Sequence, residues 1–316
     1  MAAELSPSPS TRMEPQALRR LIGRNKQADK IFALVGLLAM LVGVFALVWL
    51  LAGLALDGGS RISWQFLSSF PSRHANQAGI LSAWVGTTLV MLVTTFSAVP
   101  VGIAAGVYLE EYARRNWITD LIEINVTNLA GVPSIIYGLL ALGLFVYGMG
   151  FGQSVLSAGL TLGLLILPIV IVSTREAIRA VPVAMREAAY ALGATRWQTV
   201  HDHVLPYSTG GILTGVILGL SRAIGETAPI ITIGALTFIA FLPPAPFTSE
   251  PPYISFDWLL APFTVMPIQV FNWLSRPQAA FIENAAAAGL VLVVMTVGMN
   301  GVAIWLRYRF RKKIKW

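Results

Sequence analysis

The sequence predicts an all-α membrane protein with six transmembrane helices. Three observations carry this expectation. Of the 316 residues, 56% are hydrophobic and only 12% are charged, whereas soluble domains carry about 25% charged residues. Six stretches are long and apolar enough to cross a bilayer, which takes about 20 residues. The basic residues also alternate between connecting segments, as in a chain threaded back and forth through a membrane.

In chain order the stretches are 31–56, 80–109, 121–147, 154–174, 207–240 and 281–306. The third is the least clean, because Glu123, Asn125 and Asn128 load its first turns. The fifth is too long for one straight helix, and Gly225 with Pro229 offers a break. Residues 1–30 read as a tail, partly disordered at the Ser-Pro run Ser6 to Ser10. Residues 31–306 form the transmembrane domain, and 307–316 a second basic tail. The first stretch exceeds the 7–15 residues of a signal h-region, and no small-residue cleavage motif follows it.

The 22 Lys and Arg residues set the orientation. The N-terminal tail, the second loop, the fourth loop and the C-terminal tail hold 18; the alternate loops hold 3; Arg222 lies within a span. The positive-inside rule then places both termini in the cytoplasm. The basic run Arg307 to Lys313 is read as an anchor at the lipid surface, and no nucleic-acid partner is expected. The chain contains no cysteine and three histidines, two of them in one loop. Disulfides and thiolate chemistry are thereby excluded, and no metal site is expected. No Gly-x-x-x-x-Gly-Lys-Ser/Thr stretch occurs, so no nucleotide is expected on a P-loop of this chain.

Stretch 207–240 carries two formal charges, Arg222 and Glu226. A charge at mid-bilayer costs about 2.5–3.5 kcal/mol on insertion scales, so such residues face a polar path or a paired charge. Gly211, Gly215 and Gly219 recur every four residues, a spacing that lets membrane helices approach closely. On a helical projection Arg222 and Glu226 fall within roughly 60° of that glycine face, which predicts that they share it and are shielded from lipid. Arginine four residues before glutamate is the weaker order for a helical ion pair. The guanidinium fork is thus left available for a tetrahedral oxyanion. Ser221 and Thr227 flank the pair and complete the candidate substrate path, and a break near 225–229 would add backbone N–H donors. The competing reading is an ion pair that only registers one subunit against another.

Loop 175–206 contains Glu187-Ala188-Ala189-Tyr190-Ala191-Leu192-Gly193 and closes with Leu205-Pro206. Good helix formers precede Gly193, which stops a helix at positive φ. A second short helix is expected to follow and to end at Pro206. Ala188 and Ala189 remove bulk, so the loop suits either another protein or the lipid headgroups. Loop 241–280 is long, proline-rich and aromatic. Residues 257–274 are expected to form an amphipathic helix on the outer surface, with Trp258 and Trp273 at headgroup level and a partner protein as a further role.

The spacing from Glu187-Ala188-Ala189 through Gly193 to Leu205-Pro206 resembles the EAA loop of ABC importer permeases. His203 stands where that family usually has isoleucine. The block Ser221 to Pro229, together with Tyr108 to Tyr112, Gly131 to Gly138 and Pro267 to Pro277, resembles phosphate ABC transporter permeases of the PstA type. The resemblance covers nearly everything after the N-terminal tail. It implies a type I ABC importer permease architecture with a cytoplasmic coupling helix. It also implies that Glu187, Ala188, Ala189, Gly193, Leu205 and Pro206 engage the ATPase, and that Arg222 serves phosphate passage. The implied partners are a PstC-type permease in a heterodimer, an ATPase homodimer that holds the ATP and Mg2+, and an external phosphate-binding protein. The chain itself would be no enzyme and would sit in the inner membrane. The alternatives are a permease for another oxyanion such as sulfate or molybdate, and a phosphate-sensing signalling scaffold.

Overall fold

The computed structural model describes residues 15–247 and 253–313. The described chain divides into two compact units, one ending at Gly53 and one beginning at Leu54. The first unit is the greater part of one long helix, α1 (Pro15–Gly58). Its apolar side chains, among them Phe32, Val42, Phe45 and Trp49, are exposed. A helix that is apolar all round is built for lipid or for another helix. The helix begins well before residue 31, so part of the expected tail is helical; the Ser-Pro run lies outside the described residues.

The second unit is helical almost throughout. Its helices are α2 (Trp64–Ser68), α3 (Leu81–Val107), α4 (Trp117–Leu129), α5 (Ser134–Ala141), α6 (Val155–Arg179) and α7 (Val183–Ala191). There follow α8 (Arg196–Thr199), α9 (Leu205–Gly225), α10 (Ala228–Thr232), α11 (Met266–Leu274) and α12 (Ala279–Lys313). Among the described residues of the whole chain, five helices, α1 included, are long and apolar enough to span a membrane, and α4 with the α5 segment makes a sixth if that bent pair is one span.

At the centre lie α3, α6 and α9, which carry much of the main buried apolar cluster. Gly102 and Gly106 of α3 press against Val170 and Thr174 of α6. Gly211 and Gly215 of α9 press against Ala177 and Ser173, and Gly219 faces Ile166 and Val170. The glycine stripe therefore meets α6, as small residues at this spacing allow. Two hydrogen bonds fasten α9 to the antiparallel α12: Ser221 Oγ donates to Asn300 Oδ1 at 2.8 Å, and Arg307 Nη1 donates to Thr214 Oγ1 at 2.9 Å.

Several boundaries differ from those expected. The third stretch is not one helix: α4 and the α5 segment are bent by 107° across residues 130–133. Pro133 disfavours helix at the residue before it and lacks the N–H that would continue the ladder. Pro206 does not end a helix. It occupies the first turn of α9, directly after a π-helical turn where the regular ladder is already interrupted. The chain runs helically from Arg196 to Gly225 through a π-helical turn at Val200–Val204. Helix stops at Thr232, and Gly234 at φ +90° turns the chain away, so residues 233–240 do not extend the fifth span.

Residues 257–274 are not one amphipathic helix. A 3-10 turn (Asp257–Leu260) leads through extended chain into α11. Trp258 and Trp273 are 6% and 0% exposed and sit in the protein core, not at a headgroup surface. Trp273 packs between Phe66 and Phe281, with ring centroids 5.9 and 6.4 Å away. Burial of the large apolar ring against these two aromatic neighbours is what holds the indole in the core.

Candidate functional site

The fifth span breaks where the two charges lie. α9 ends at Gly225, and Glu226 is extended at φ −75°, ψ 128°. Thr227 opens the short α10, and its carbonyl accepts from Ile231 N at 3.0 Å. Pro229 in the first turn of α10 makes a new helix start easier than continuing the old one. Arg222 Nε donates to Glu226 Oε1 at 3.1 Å, with the arginine side chain 39% and the glutamate side chain 18% exposed. Among the described residues no hydrogen bond engages the Nη atoms of Arg222.

Arg222 therefore does not share the face that meets α6. The break turns Glu226 off the helical projection, and the guanidinium lies at the open edge of this chain. In the bilayer such an edge must meet water, a solute or a second subunit, because hydrocarbon does not accommodate it. Ser221, on the same turn, is instead held by Ile217 O and by Asn300. The structure thus brings Arg222, Glu226 and Thr227 to one break and ties Ser221 into the α9–α12 seam.

A second broken segment packs against this one. A Cβ on Gly138 of α5 would collide with Thr232 Oγ1 and approach Pro229 Cα to 2.7 Å, so only glycine lets α5 and α10 lie this close. Tyr137 of α5 donates to Leu129 O at 2.7 Å across the 130–133 bend. The sequence placed Tyr137 and Gly138 within the block Gly131 to Gly138 but gave neither residue a role in the site.

On the other side, α7 and α8 form the compact pair expected of loop 175–206. Gly193 adopts φ +84°, a region costly to residues with a Cβ, and this allows the reversal between them. Thr195 then caps α8 in a capping box with Gln198. Ala189 is buried against the protein, whereas Glu187 and Ala188 are exposed. Leu205 and Pro206 are half-buried in the first turn of α9, and His203 is exposed. Val183, Tyr190, Leu192 and Trp197 add exposed apolar surface here, with Leu192 at 91%. Sequence reasoning did not select these four as site residues, although an exposed apolar cluster commonly marks a protein contact.

Behind α7, Arg186 donates to Glu111 from Nε at 3.1 Å and from Nη2 at 2.7 Å, and also to Val181 O and Ile178 O. Arg179 donates to both oxygens of Glu110, and Arg175 pairs with Glu123 of α4. Arg175, expected in the loop, is the buried penultimate turn of α6.

A glycine-seamed helical bundle, a break bearing an exposed arginine and a projecting helix pair together define a membrane permease subunit. The chain belongs to the family of binding-protein-dependent transport system inner membrane components, whose model matches residues 98–316. It is 31% identical over 297 residues to the probable ABC transporter permease protein YqgI of Bacillus subtilis (strain 168), covering 92% of this chain and 97% of that one. It is 32% identical over 308 residues to the phosphate transport system permease protein PstA of Yersinia pestis, covering 96% and 95%. The protein of the same name from Mycobacterium leprae (strain TN) is 32% identical over 297 residues, covering 91% and 90%. The fold is shared with a chain of the inward-facing MetNI methionine ABC transporter, at a TM-score of 0.53 and 16% identity, over 73% of this chain and 94% of that one. The architecture is that of a type I ABC importer permease, multi-pass in the inner membrane.

Proposed function

We propose that the chain is the PstA-like permease subunit of an ATP-driven phosphate importer. The single observation that carries the solute class is Arg222: a guanidinium fork at a helix break inside an apolar span, with both Nη atoms unengaged among the described residues. Such a fork suits a tetrahedral oxyanion. Phosphate is favoured over other oxyanions by the names of the relatives, which are phosphate transport system permeases along 90% or more of this chain.

In this reading a second, PstC-type permease completes the path opposite Arg222, and a phosphate-binding protein delivers solute to the outer face. An ATPase homodimer holds ATP and Mg2+ and bears on Glu187, Ala188, Ala189 and Gly193, with Leu205 and Pro206 hinging the segment to α9. Both termini lie in the cytoplasm. Glu226 holds the guanidinium in place and competes with the anion for it. Phosphate therefore passes as at a way-station and is not captured tightly. Glu226 with Thr227 and the N-terminus of α10 line the step beyond. The chain has no ATPase site of its own.

The test is uptake of labelled phosphate by the assembled complex in vesicles, with sulfate and molybdate as competitors. ATP-dependent uptake that neither competitor reduces supports the reading. Preferential import of sulfate or molybdate contradicts the substrate, and uptake without an ATPase contradicts the class.

A further inference from the structure

The cytoplasmic end of α3 is a π-helical turn, Tyr108–Tyr112, and the translocation site makes no use of its two carboxylates. Both halves of the coupling segment rest on this one turn. Glu111 receives the guanidinium of Arg186 on α7 at 3.1 and 2.7 Å, with the two side chains 7% and 17% exposed. Arg196 of α8 lies over the Tyr112 ring at 5.2 Å. The neighbouring Glu110 faces inward to α6: Arg179 Nη2 is 3.0 Å from it, and Arg175 Nε is 3.5 Å away at an ion-pair distance without hydrogen-bond geometry. Arg175 also pairs with Glu123 of α4. Beyond the 130–133 bend, α4 continues into α5, whose Gly138 abuts Pro229 three residues after Glu226.

We infer that Tyr108–Tyr112 is the seat on which the coupling segment bears, and that Glu111 and Arg186 are positioning residues that carry its movement to the Arg222 break. Separating a buried ion pair leaves an uncompensated charge and is strongly unfavourable. α7 therefore cannot shift without moving the end of α3. Both guanidinium contacts, with Val181 O and Ile178 O as further acceptors, fix direction as well as distance; a lysine ammonium lacks this planar fork. A π turn leaves the α-helical ladder locally interrupted, so it can yield where a regular helix would not. Glu110, Arg175 and Glu123 then bind the same turn to α6 and α4. Two sites are coupled when both bias one such contiguous element between two arrangements.

The inference rests on the permease reading but not on the identity of the oxyanion. The chain has no native cysteine. A reporter Gly225→Cys, at a position where a Cβ meets nothing within 4 Å, therefore reads alkylation of this subunit beside the break. In the full complex in vesicles, the alkylation rate is compared with and without ATP and vanadate. The expected result is an ATP-dependent change that Arg186→Lys and Glu111→Gln each reduce about fivefold while ATP hydrolysis continues. A change that survives undiminished in both variants overturns the relay. If Glu111→Gln does not assemble, Arg186→Lys, which keeps the charge, decides; loss of assembly there as well makes the pair a folding element only and also overturns the relay. A reporter that responds to ATP, while the complex with native Gly225 imports no phosphate, contradicts the proposed substrate and leaves the relay supported.

Discussion

Arg222 and Glu226 meet through one 3.1 Å contact across the end of α9, the arginine on the helix and the glutamate on the extended residue just beyond it. The contact uses Nε, and among the described residues no hydrogen bond engages the two Nη atoms. Glu226→Gln keeps the shape and removes the competing charge. Phosphate is then expected to bind about tenfold more tightly at this break and to be imported more slowly, a change of about 1.4 kcal/mol. Equilibrium binding and uptake measured on the same vesicles check this, and unchanged binding would mean that Glu226 does not compete.

The coupling surface is expected to depend on apolar contact as much as on the Glu-Ala-Ala run. Leu192 is exposed beside Gly193 and makes little contribution to this chain's own core. Leu192→Ser should weaken association of the ATPase by about 1–3 kcal/mol and leave the permease fold intact. Pull-down of the ATPase, read against thermal unfolding of the membrane subunits, separates the two effects.

Gly193 at φ +84° sets the angle between α7 and α8. Gly193→Ala places a Cβ in the left-handed region at a cost of about 1–2 kcal/mol. Nothing lies within 4 Å of that Cβ, so sterics with neighbours add nothing. The variant should assemble with a small fall in stability and lose ATPase stimulation, because the two arms of the segment no longer hold their angle. Stimulation equal to the unaltered protein would rule that geometry out as important.

Gly138 and Pro229 mark the contact between the two broken spans. Gly138→Val must push α5 away from α10. Overpacking of this kind costs about 1–3 kcal/mol. A lowered unfolding temperature together with impaired uptake is expected. Full uptake would show that the α5–α10 contact does not shape the path.

Much of this was legible in the chain and some was not. Charge in an apolar stretch pointed to Arg222, and glycines at a spacing of four pointed to the α9 seam, because both signals are local. The EAA spacing located α7 and its turn for the same reason. The bend at 130–133 was hidden because apolar residues resume on both sides of it, and Gly131 with Pro133 is a weak signal inside a stretch long enough to span a bilayer. Trp258 and Trp273 were misplaced because an indole at a membrane surface and an indole packed into the core can have the same composition around them in sequence. The pairing of Glu111 with Arg186 and of Glu123 with Arg175 joins residues 75 and 52 positions apart, and no periodicity reports such a contact. The place of Glu226 depends on the break itself, which a straight helical projection cannot contain.

The most direct test of the account is uptake of labelled phosphate by the assembled complex with Arg222 intact and with Arg222→Gln, with ATP hydrolysis and assembly followed alongside. The account predicts loss of uptake by about one to two orders of magnitude, the scale of a charge-assisted contact of about 1.5–3 kcal/mol, with assembly and hydrolysis retained. Uptake equal to that of the unaltered complex would contradict it, reduce the pair to a packing device, and place the oxyanion path elsewhere in the bundle.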